Sequence, residues 1–170
     1  KNAIAYMLDK KYISPFEKIF GTFGDSQIEN KKTFCMYGDI AMDTLLYNSL
    51  SSLSKSLDME LFPTYSFGRI YSQGDELHKH KDRPSCEISG TLNLGGDPWS
   101  IFLKDTNKKN VEITLNPGDI LMYKGADLEH WRKPFLGKIC AQVFLHYTTN
   151  KKNIYDGRPM LGLPPYFKSK

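Results

Sequence analysis

The chain has 170 residues, a length typical of one domain with one hydrophobic core. Apolar residues make up 40% and charged residues 25% of the chain, which indicates an ordinary soluble globular protein. No apolar run approaches the roughly 20 residues that cross a bilayer, so a membrane protein of the helical class is excluded. The beginning of the chain also lacks the layout of a signal peptide, and a cytoplasmic location is therefore expected.

The formal charge of +4 comes mainly from short lysine clusters that are scattered among polar residues. This arrangement favours a solvated surface over a nucleic-acid patch. The three cysteines, Cys35, Cys86 and Cys140, are widely spaced and form no CxxC pair. Their spacing suggests neither a zinc site nor a disulfide framework, so buried reduced thiols are expected. A monomeric protein is expected as well.

Residues 1–63 are interpreted as a helical support region. Residues 3–23 mix short apolar pieces and predict a strand and a turn of helix, while residues 24–33 are polar and predict a loop. In the segment Ile40 to Leu57, apolar residues recur every three or four positions, and Asp39 can cap the beginning. This pattern predicts an amphipathic helix that needs a partner surface.

Beyond residue 63 the pattern changes to the alternation that is typical of strands. Short β-prone segments recur at close spacing between turn residues, at 65–71, 88–94, 99–103, 111–115, 120–123 and 139–147. Such spacing indicates a sandwich or barrel. We therefore predict one domain, 1–170, that is mostly β, with a core over 64–147 and an irregular C-terminal arm over 148–170.

The stretch from His78 to Asp82 contains the candidate metal ligands. Side chains two apart on a strand point to the same face, so His80 and Asp82 could reach one metal ion together. A second histidine would complete a 2-His-1-carboxylate set, which leaves three positions on Fe(II) open. His130 is favoured over His146, because His146 lies deep in an apolar run whereas His130 lies near a strand end.

The order of these motifs resembles the Fe(II)/2-oxoglutarate-dependent oxygenases, and specifically their prolyl-hydroxylase-like branch. The resemblance covers about half of the chain, residues 64–147. It is carried by Tyr71-Ser72-Gln73-Gly74, His80-Lys81-Asp82, Thr91-Leu92-Asn93-Leu94, Pro117-Gly118-Asp119, His130 with Pro134 behind it, and the closing strand to Tyr147.

The resemblance implies a double-stranded β-helix, or jelly roll, with the metal at its open end. It also implies Fe(II) as cofactor, 2-oxoglutarate and O₂ as co-substrates, and hydroxylation of a C–H bond with release of succinate and CO₂. A prolyl residue of a peptide or protein is the first candidate substrate, and a small molecule is the alternative.

The family usually places Arg or Lys nine or ten residues after the second histidine, to bind the distal carboxylate of 2-oxoglutarate. In this chain those positions hold Ile139 and Cys140. Two replacements are open: Arg132, two residues after His130, and Lys138, which shares strand parity with Cys140. Arg132 is slightly preferred, because a guanidinium forks onto a carboxylate.

The resemblance also implies that Tyr71 and Thr91 donate hydroxyl groups to the co-substrate. Ser89 lies on the same strand face as Thr91 and is grouped with it as a weaker donor than Tyr71. Three further residues lie near the motif in sequence and are weaker candidates for substrate contacts, namely His78, Arg83 and Trp131.

Two other classes of protein compete with this interpretation. A cupin would bind metal through His78, His80, Glu87 and His130, but its glycine spacing and second motif are missing, and Asp82 would have no role. A non-enzymatic β-sandwich binding module would take up no iron and form no succinate. Within the oxygenase reading, the absent basic residue also leaves open a degenerate member that has lost the co-substrate.

Overall fold

The computed structural model describes residues 2–17, 21–23, 28 and 33–153. Its helices are α1 (Asn2–Glu17) and α2 (Ile40–Leu57), and short 3₁₀ turns lie at Pro84–Cys86 and Lys151–Asn153. Its strands are β1 (Thr22–Phe23), β2 (Phe34–Tyr37), β3 (Phe62–Ser72), β4 (Leu77–His80), β5 (Ile88–Gly96), β6 (Ile101–Lys104), β7 (Asn110–Ile113), β8 (Ile120–Tyr123), β9 (His130–Arg132) and β10 (Ile139–Thr148).

The strands form two antiparallel sheets, which confirms the predicted jelly-roll core. The larger sheet has the order β1-β2-β3-β10-β5-β8, and the smaller has the order β4-β9-β6-β7. From β3 to β6, and again from β7 to β10, consecutive strands of the chain alternate between the two sheets. The two inner faces enclose the space in which polar side chains collect.

The helices cover the outer face of the larger sheet. Met7 of α1 and Leu46 of α2 are fully buried against Ile70, Val143 and Leu145, alternate residues of β3 and β10. Because strand side chains alternate between faces, the intervening residues of the same strands point towards the smaller sheet. The helices thereby supply an apolar layer that leaves the inner face free for function.

The first helix corrects the sequence prediction. Residues 3–23 were expected to form a strand and a turn of helix, but residues 2–17 form one continuous helix, and only 22–23 form a short strand. Apolar residues lie almost all around this helix, so no clear 3.6-residue period appears in the sequence. Ile4 packs next to Gly95 of β5, so tertiary contact stabilises a segment that has a weak local signal.

The second helix begins and ends where the pattern predicted. The Asp39 carboxylate accepts a hydrogen bond of 3.0 Å from the Ala41 amide, and Asp58 ends the helix in the left-handed conformation. Within the helix, Asp43 is fully buried and its carboxylate accepts hydrogen bonds from the hydroxyl and the amide of Ser66 on β3. This contact attaches α2 to the centre of the larger sheet.

Replacing Asp43 with Ala is expected to lower the free energy of unfolding by about 1–3 kcal/mol, because the buried Ser66 hydroxyl loses its acceptor. Chemical denaturation measures the change. The control is Asn48→Ala on the exposed side of α2, which should cost far less. Equal losses for the two variants would contradict a specific role for the buried carboxylate.

The C-terminal arm predicted for 148–170 is described only in part. The last strand extends to Thr148, and the turn at Lys151–Asn153 follows it. Residues 154–170 lie outside the described residues, as does most of the loop predicted for 24–33. Within the described ranges, neither helix has the length and apolar character that crossing a bilayer requires.

Candidate metal centre

Two histidines face each other on neighbouring strands of the smaller sheet. His80 is the last residue of β4, His130 is the first residue of β9, and the two are direct partners in the antiparallel register. Their ring centroids are 4.2 Å apart. The side chain of His130 is 3% exposed and that of His80 is 20% exposed, so the pair lies at the edge of the space between the sheets.

Asp82 completes a group of three. It lies two residues beyond the end of β4 rather than on the strand itself, and its amide donates a hydrogen bond of 2.9 Å to the carbonyl of Gly125. Asp82 Oδ1 is 3.6 Å from His80 Nε2 and 3.6 Å from His130 Nε2. Two ligand atoms that each bind one ion at about 2.0–2.2 Å can be separated by such a distance.

Hydrogen bonds orient each of the three side chains. His80 Nδ1 is 2.8 Å from the carbonyl of His78, and His130 Nδ1 is 3.0 Å from the carbonyl of Leu128. A proton on each Nδ1 leaves the Nε2 lone pairs directed at the common point, which is the tautomer that metal-binding histidines adopt. Asp82 Oδ2 accepts a hydrogen bond of 2.8 Å from Ser89, so Oδ1 is left to face the two imidazoles.

The electrostatics of the group suit a cation. Burial disfavours the charged carboxylate of Asp82, but hydrogen bonding to His130 and His80 outweighs it and holds the pKa well below the usual range. Burial likewise lowers the pKa of His80, yet the neighbouring Asp82 and the His78 carbonyl raise it by more. The carboxylate is thus anionic at neutral pH, and its surroundings favour positive charge at this point.

Gly125 leaves the space that the carboxylate needs. A Cβ atom added at this position would overlap an oxygen of Asp82, the Ser89 hydroxyl and the Cys86 carbonyl oxygen. These are backbone and hydrogen-bonded atoms with little freedom to move. Only glycine therefore allows the β8–β9 connection to approach the metal-facing carboxylate this closely.

Replacing Gly125 with Ala is expected to weaken Fe(II) or Mn(II) binding by about 10- to 100-fold, the effect of disturbing the partners of a metal ligand. Anaerobic calorimetry measures the affinity. The matched control is Gly68→Ala on β3, where the nearest atoms to the added Cβ would be the flexible ends of Met36 and Met7. Equal affinities in the two variants would show that Gly125 does not support Asp82.

The three side chains line a cavity of about 470 Å³ between the sheets. One wall is aromatic, with Tyr37 stacked on Tyr65 at 4.7 Å and with Phe67 and Phe144 beyond them. The charged residues of the lining are Asp82 and three cations, Arg69, Lys81 and Arg83. The cavity thus combines an apolar surface with an excess of positive charge.

A second polar group lies behind the metal-facing residues. Arg132 on β9 is 1% exposed, and its Nη1 donates to the carbonyl of Trp99 at 2.5 Å while Nη2 is 3.5 Å from the hydroxyl of Thr91. Tyr71 is fully buried, and burial raises its pKa by more than the guanidinium groups of Arg69 and Arg132 lower it. Arg69 also contacts Tyr71, with Nη1 3.4 Å from the phenol oxygen.

Arg132 carries a buried charge without a counter-ion. Within the described ranges it makes no salt bridge, and its Nε has no hydrogen-bond partner. A buried cation without an anion is costly. The hydroxyl of Thr91 lies 3.5 Å from its Nη2, and the phenol of Tyr71 interacts with its charge, so the group offers the kinds of donor that bind a carboxylate.

Three of the residues predicted for the site lie elsewhere. Lys138 is exposed and contacts Asp97 only through its amide. His78 is 61% exposed beside Glu76. Trp131 points away from the cavity and stacks on Phe102. Arg83, by contrast, lines the cavity mouth, with its guanidinium against the ring of Tyr65.

The cupin ligand set is not assembled. The exposed His78 and the hydrogen-bonded Glu87, whose carboxylate accepts from Thr148 and Thr149, do not join His80 and His130. In the part of the chain that the structure describes, only two groups offer three ligand atoms close together. They are His80, Asp82 and His130, and a second group of Asp82, Cys86 and His146.

Sequence reasoning missed Arg69 and Gly125 and misjudged Ser89. Arg69 lies two residues before Tyr71, so the sequence already indicated that both side chains point to the same face of the strand. Ser89 was grouped with Thr91 as a weak donor to the co-substrate, but its hydroxyl holds Asp82. The contact between Gly125 and Asp82 joins residues 43 positions apart, and no local pattern predicts it.

Solved structures of 2-oxoglutarate- and Fe(II)-dependent oxygenases share this fold. A Burkholderia pseudomallei oxidoreductase of the 2OG-Fe(II) oxygenase family is 12% identical, with a TM-score of 0.62 over 76% of this chain and 71% of the other. A Pseudomonas putida prolyl-4-hydroxylase is 15% identical, with a TM-score of 0.62 over 86% and 85%.

HygX from Streptomyces hygroscopicus, solved with nickel and 2-oxoglutarate bound, is 11% identical, with a TM-score of 0.61 over 84% of this chain and 78% of the other. Neither a protein-family model nor a curated protein matches the sequence. At such identities the likeness establishes the shared fold alone.

Proposed function

We propose that the chain is an Fe(II)- and 2-oxoglutarate-dependent oxygenase that hydroxylates a C–H bond. One observation carries the proposal, namely the convergence of His80, Asp82 and His130 on a common point at the wall of a cavity. Two imidazoles and one carboxylate are the ligand set that leaves three positions of Fe(II) open for a chelating co-substrate and O₂.

The residues present fit the implied metal and co-substrate. His80, Asp82 and His130 would hold Fe(II), and the buried Arg132 with Tyr71 and Thr91 would bind the distal carboxylate of 2-oxoglutarate. When bound, the iron, 2-oxoglutarate and O₂ together supply the oxidation of the C–H bond, with succinate and CO₂ as the other products.

The chain itself contributes orientation and exclusion of water. The Nδ1 contacts of both histidines and the Ser89 hydroxyl fix the ligand atoms before any ion arrives. The aromatic wall of the cavity would exclude water from the reacting C–H bond next to the metal position. It is formed by Tyr37, Tyr65, Phe67 and Phe144.

The first candidate substrate is a prolyl residue of a peptide. Aromatic grooves recognise proline rings, and the stacked pair of Tyr37 and Tyr65 offers such a surface at the cavity mouth. The cationic side chains of Lys81 and Arg83 at the same mouth are suited to peptides with acidic residues near the proline.

The test begins with anaerobic calorimetry of Mn(II), followed by 2-oxoglutarate, into the full chain. Binding of the metal and then of the co-substrate is expected, and succinate should form once Fe(II) and O₂ replace Mn(II). A proline-containing acidic peptide should gain one oxygen atom by mass spectrometry, whereas the same peptide with alanine at that position should not. Absence of both metal uptake and succinate would refute the enzyme.

A further inference from the structure

A second cluster of metal-ligating side chains adjoins the first and shares one residue with it. Ligand atoms of Asp82, Cys86 and His146 all lie within 4.8 Å of one another. The three residues line the same cavity as His80 and His130, so an ion that enters the cavity has access to either cluster.

The second cluster is built from two elements that pack together. Cys86 ends the 3₁₀ turn Pro84–Cys86, which follows Asp82 closely in the chain, and it is 2% exposed. His146 lies on the inner face of β10 and is 6% exposed. The Ser89 hydroxyl joins the elements, since it is 2.8 Å from Asp82 Oδ2 and 3.0 Å from His146 Nδ1.

The donor atoms of the two clusters differ in chemical character. The first cluster offers two nitrogens and an oxygen, whereas the second offers sulfur, nitrogen and oxygen. Sulfur ligands select zinc and other borderline-soft ions, and Zn(II) accepts cysteine, histidine and carboxylate ligands in tetrahedral geometry. The fourth position of such an ion would face the cavity.

We propose that Asp82, Cys86 and His146 form a second metal site, for Zn(II) or a similar borderline-soft ion. On binding, the S–H bond of Cys86 is replaced by a bond from sulfur to the metal, and the proton leaves to solvent. No oxidation is involved. The second site itself does not depend on the oxygenase function, whereas its effect on that activity rests on the proposed function.

Sharing of Asp82 makes the two sites compete. Each site uses the same carboxylate, and two divalent ions on it would repel each other strongly over so short a distance. An ion in the thiolate site therefore weakens Fe(II) binding at His80, Asp82 and His130. Zinc would inhibit the oxygenase from this neighbouring site.

Anaerobic titration with Co(II) tests the site, because thiolate-to-cobalt charge transfer absorbs in the near ultraviolet and a site of histidine and aspartate has no such band. The wild-type chain is expected to show the band. Cys86→Ser and His146→Asn should lose it. His80→Ala should keep it, since His80 belongs to the other cluster, and so should Cys140→Ser, which alters another buried cysteine.

X-ray absorption at the zinc edge of the wild-type chain gives a readout that needs no variant to fold. A shell with one sulfur at about 2.3 Å is expected. Absence of sulfur around zinc, a cobalt band that survives Cys86→Ser, or a band that disappears in His80→Ala would each overturn the second site. Each of these results leaves the oxygenase proposal standing, because Mn(II) and 2-oxoglutarate binding is measured separately.

Discussion

Replacing Asp82 with Ala is expected to abolish Fe(II) binding, and with it succinate formation from 2-oxoglutarate. The change removes the only carboxylate of the group and leaves two imidazoles, which cannot hold the ion in the open geometry that the reaction needs. The loss in affinity should exceed the roughly 100-fold effect of disturbing a supporting partner of a metal ligand. Anaerobic calorimetry with Fe(II) or Mn(II) measures it.

Two neighbouring residues serve as matched controls for this experiment. Glu87→Gln alters a carboxylate that is held by Thr148 and Thr149, and His78→Ala alters an exposed histidine. Both variants should bind Fe(II) as the wild type does. Retention of iron by Asp82→Ala, with loss in the two controls, would favour the cupin ligand set and contradict the proposed centre.

Replacing Arg132 with Met is expected to weaken 2-oxoglutarate binding to the Mn(II)-loaded protein by about 100-fold or more. The change removes charge-assisted hydrogen bonds to the distal carboxylate, each of which contributes about 1.5–3 kcal/mol. Metal affinity should be retained, since Arg132 is not among the ligands. The thermal midpoint of the free protein should change little, because a buried charge without a counter-ion is removed together with its bond to the Trp99 carbonyl.

The control for Arg132 is Lys138→Ala, which removes the other predicted cation from an exposed position and should leave 2-oxoglutarate affinity unchanged. Arg69→Met provides a second comparison, because Arg69 is buried on the cavity side of Tyr71. Normal co-substrate binding in Arg132→Met, with loss in Arg69→Met, would place the carboxylate at Arg69 and contradict the assignment of Arg132.

Much of the core could be predicted because strand and helix periods are local. The 3.6-residue repeat of α2 and the capping Asp39 set its limits without reference to the rest of the chain. The closing strand was predicted almost to the residue, over 139–147 against Ile139–Thr148. The first helix was missed, since its apolar residues show no clear period and its stability comes from packing on β5.

Contacts between residues close in sequence could be predicted for the candidate site, whereas most contacts between distant residues could not. The two-residue spacing of His80 and Asp82 predicted that both side chains point to the same face. Asp82 in fact lies beyond the end of the strand and is positioned by the hydrogen bond from its amide to the Gly125 carbonyl. His130 was chosen on its position near a strand end, and it is the direct partner of His80. The choice between Arg132 and Lys138 rested on strand parity and on the forked geometry of a guanidinium, and neither of these specifies depth of burial.

The cysteines also show that sequence patterns do not predict contacts between distant segments. No CxxC spacing is present, and the sequence therefore suggested three inert thiols. Burial agrees for all three, yet the fold brings Cys86 within ligand distance of Asp82 and of His146 on a strand some 60 residues further along the chain. Spacing rules describe sites whose ligands lie on one short segment, and this cluster is not of that kind.

The sequence by itself determined the class of fold and the three side chains from which a metal centre could be built. Both depend on strand alternation and on the order of motifs, which are properties of the sequence alone. Only the tertiary structure decided which cation is buried without a counter-ion, which glycine leaves room for the carboxylate, and which thiol lies beside it. Those properties depend on burial and on contacts between sheets. Both arise only when distant segments have packed together and water has been excluded from between them.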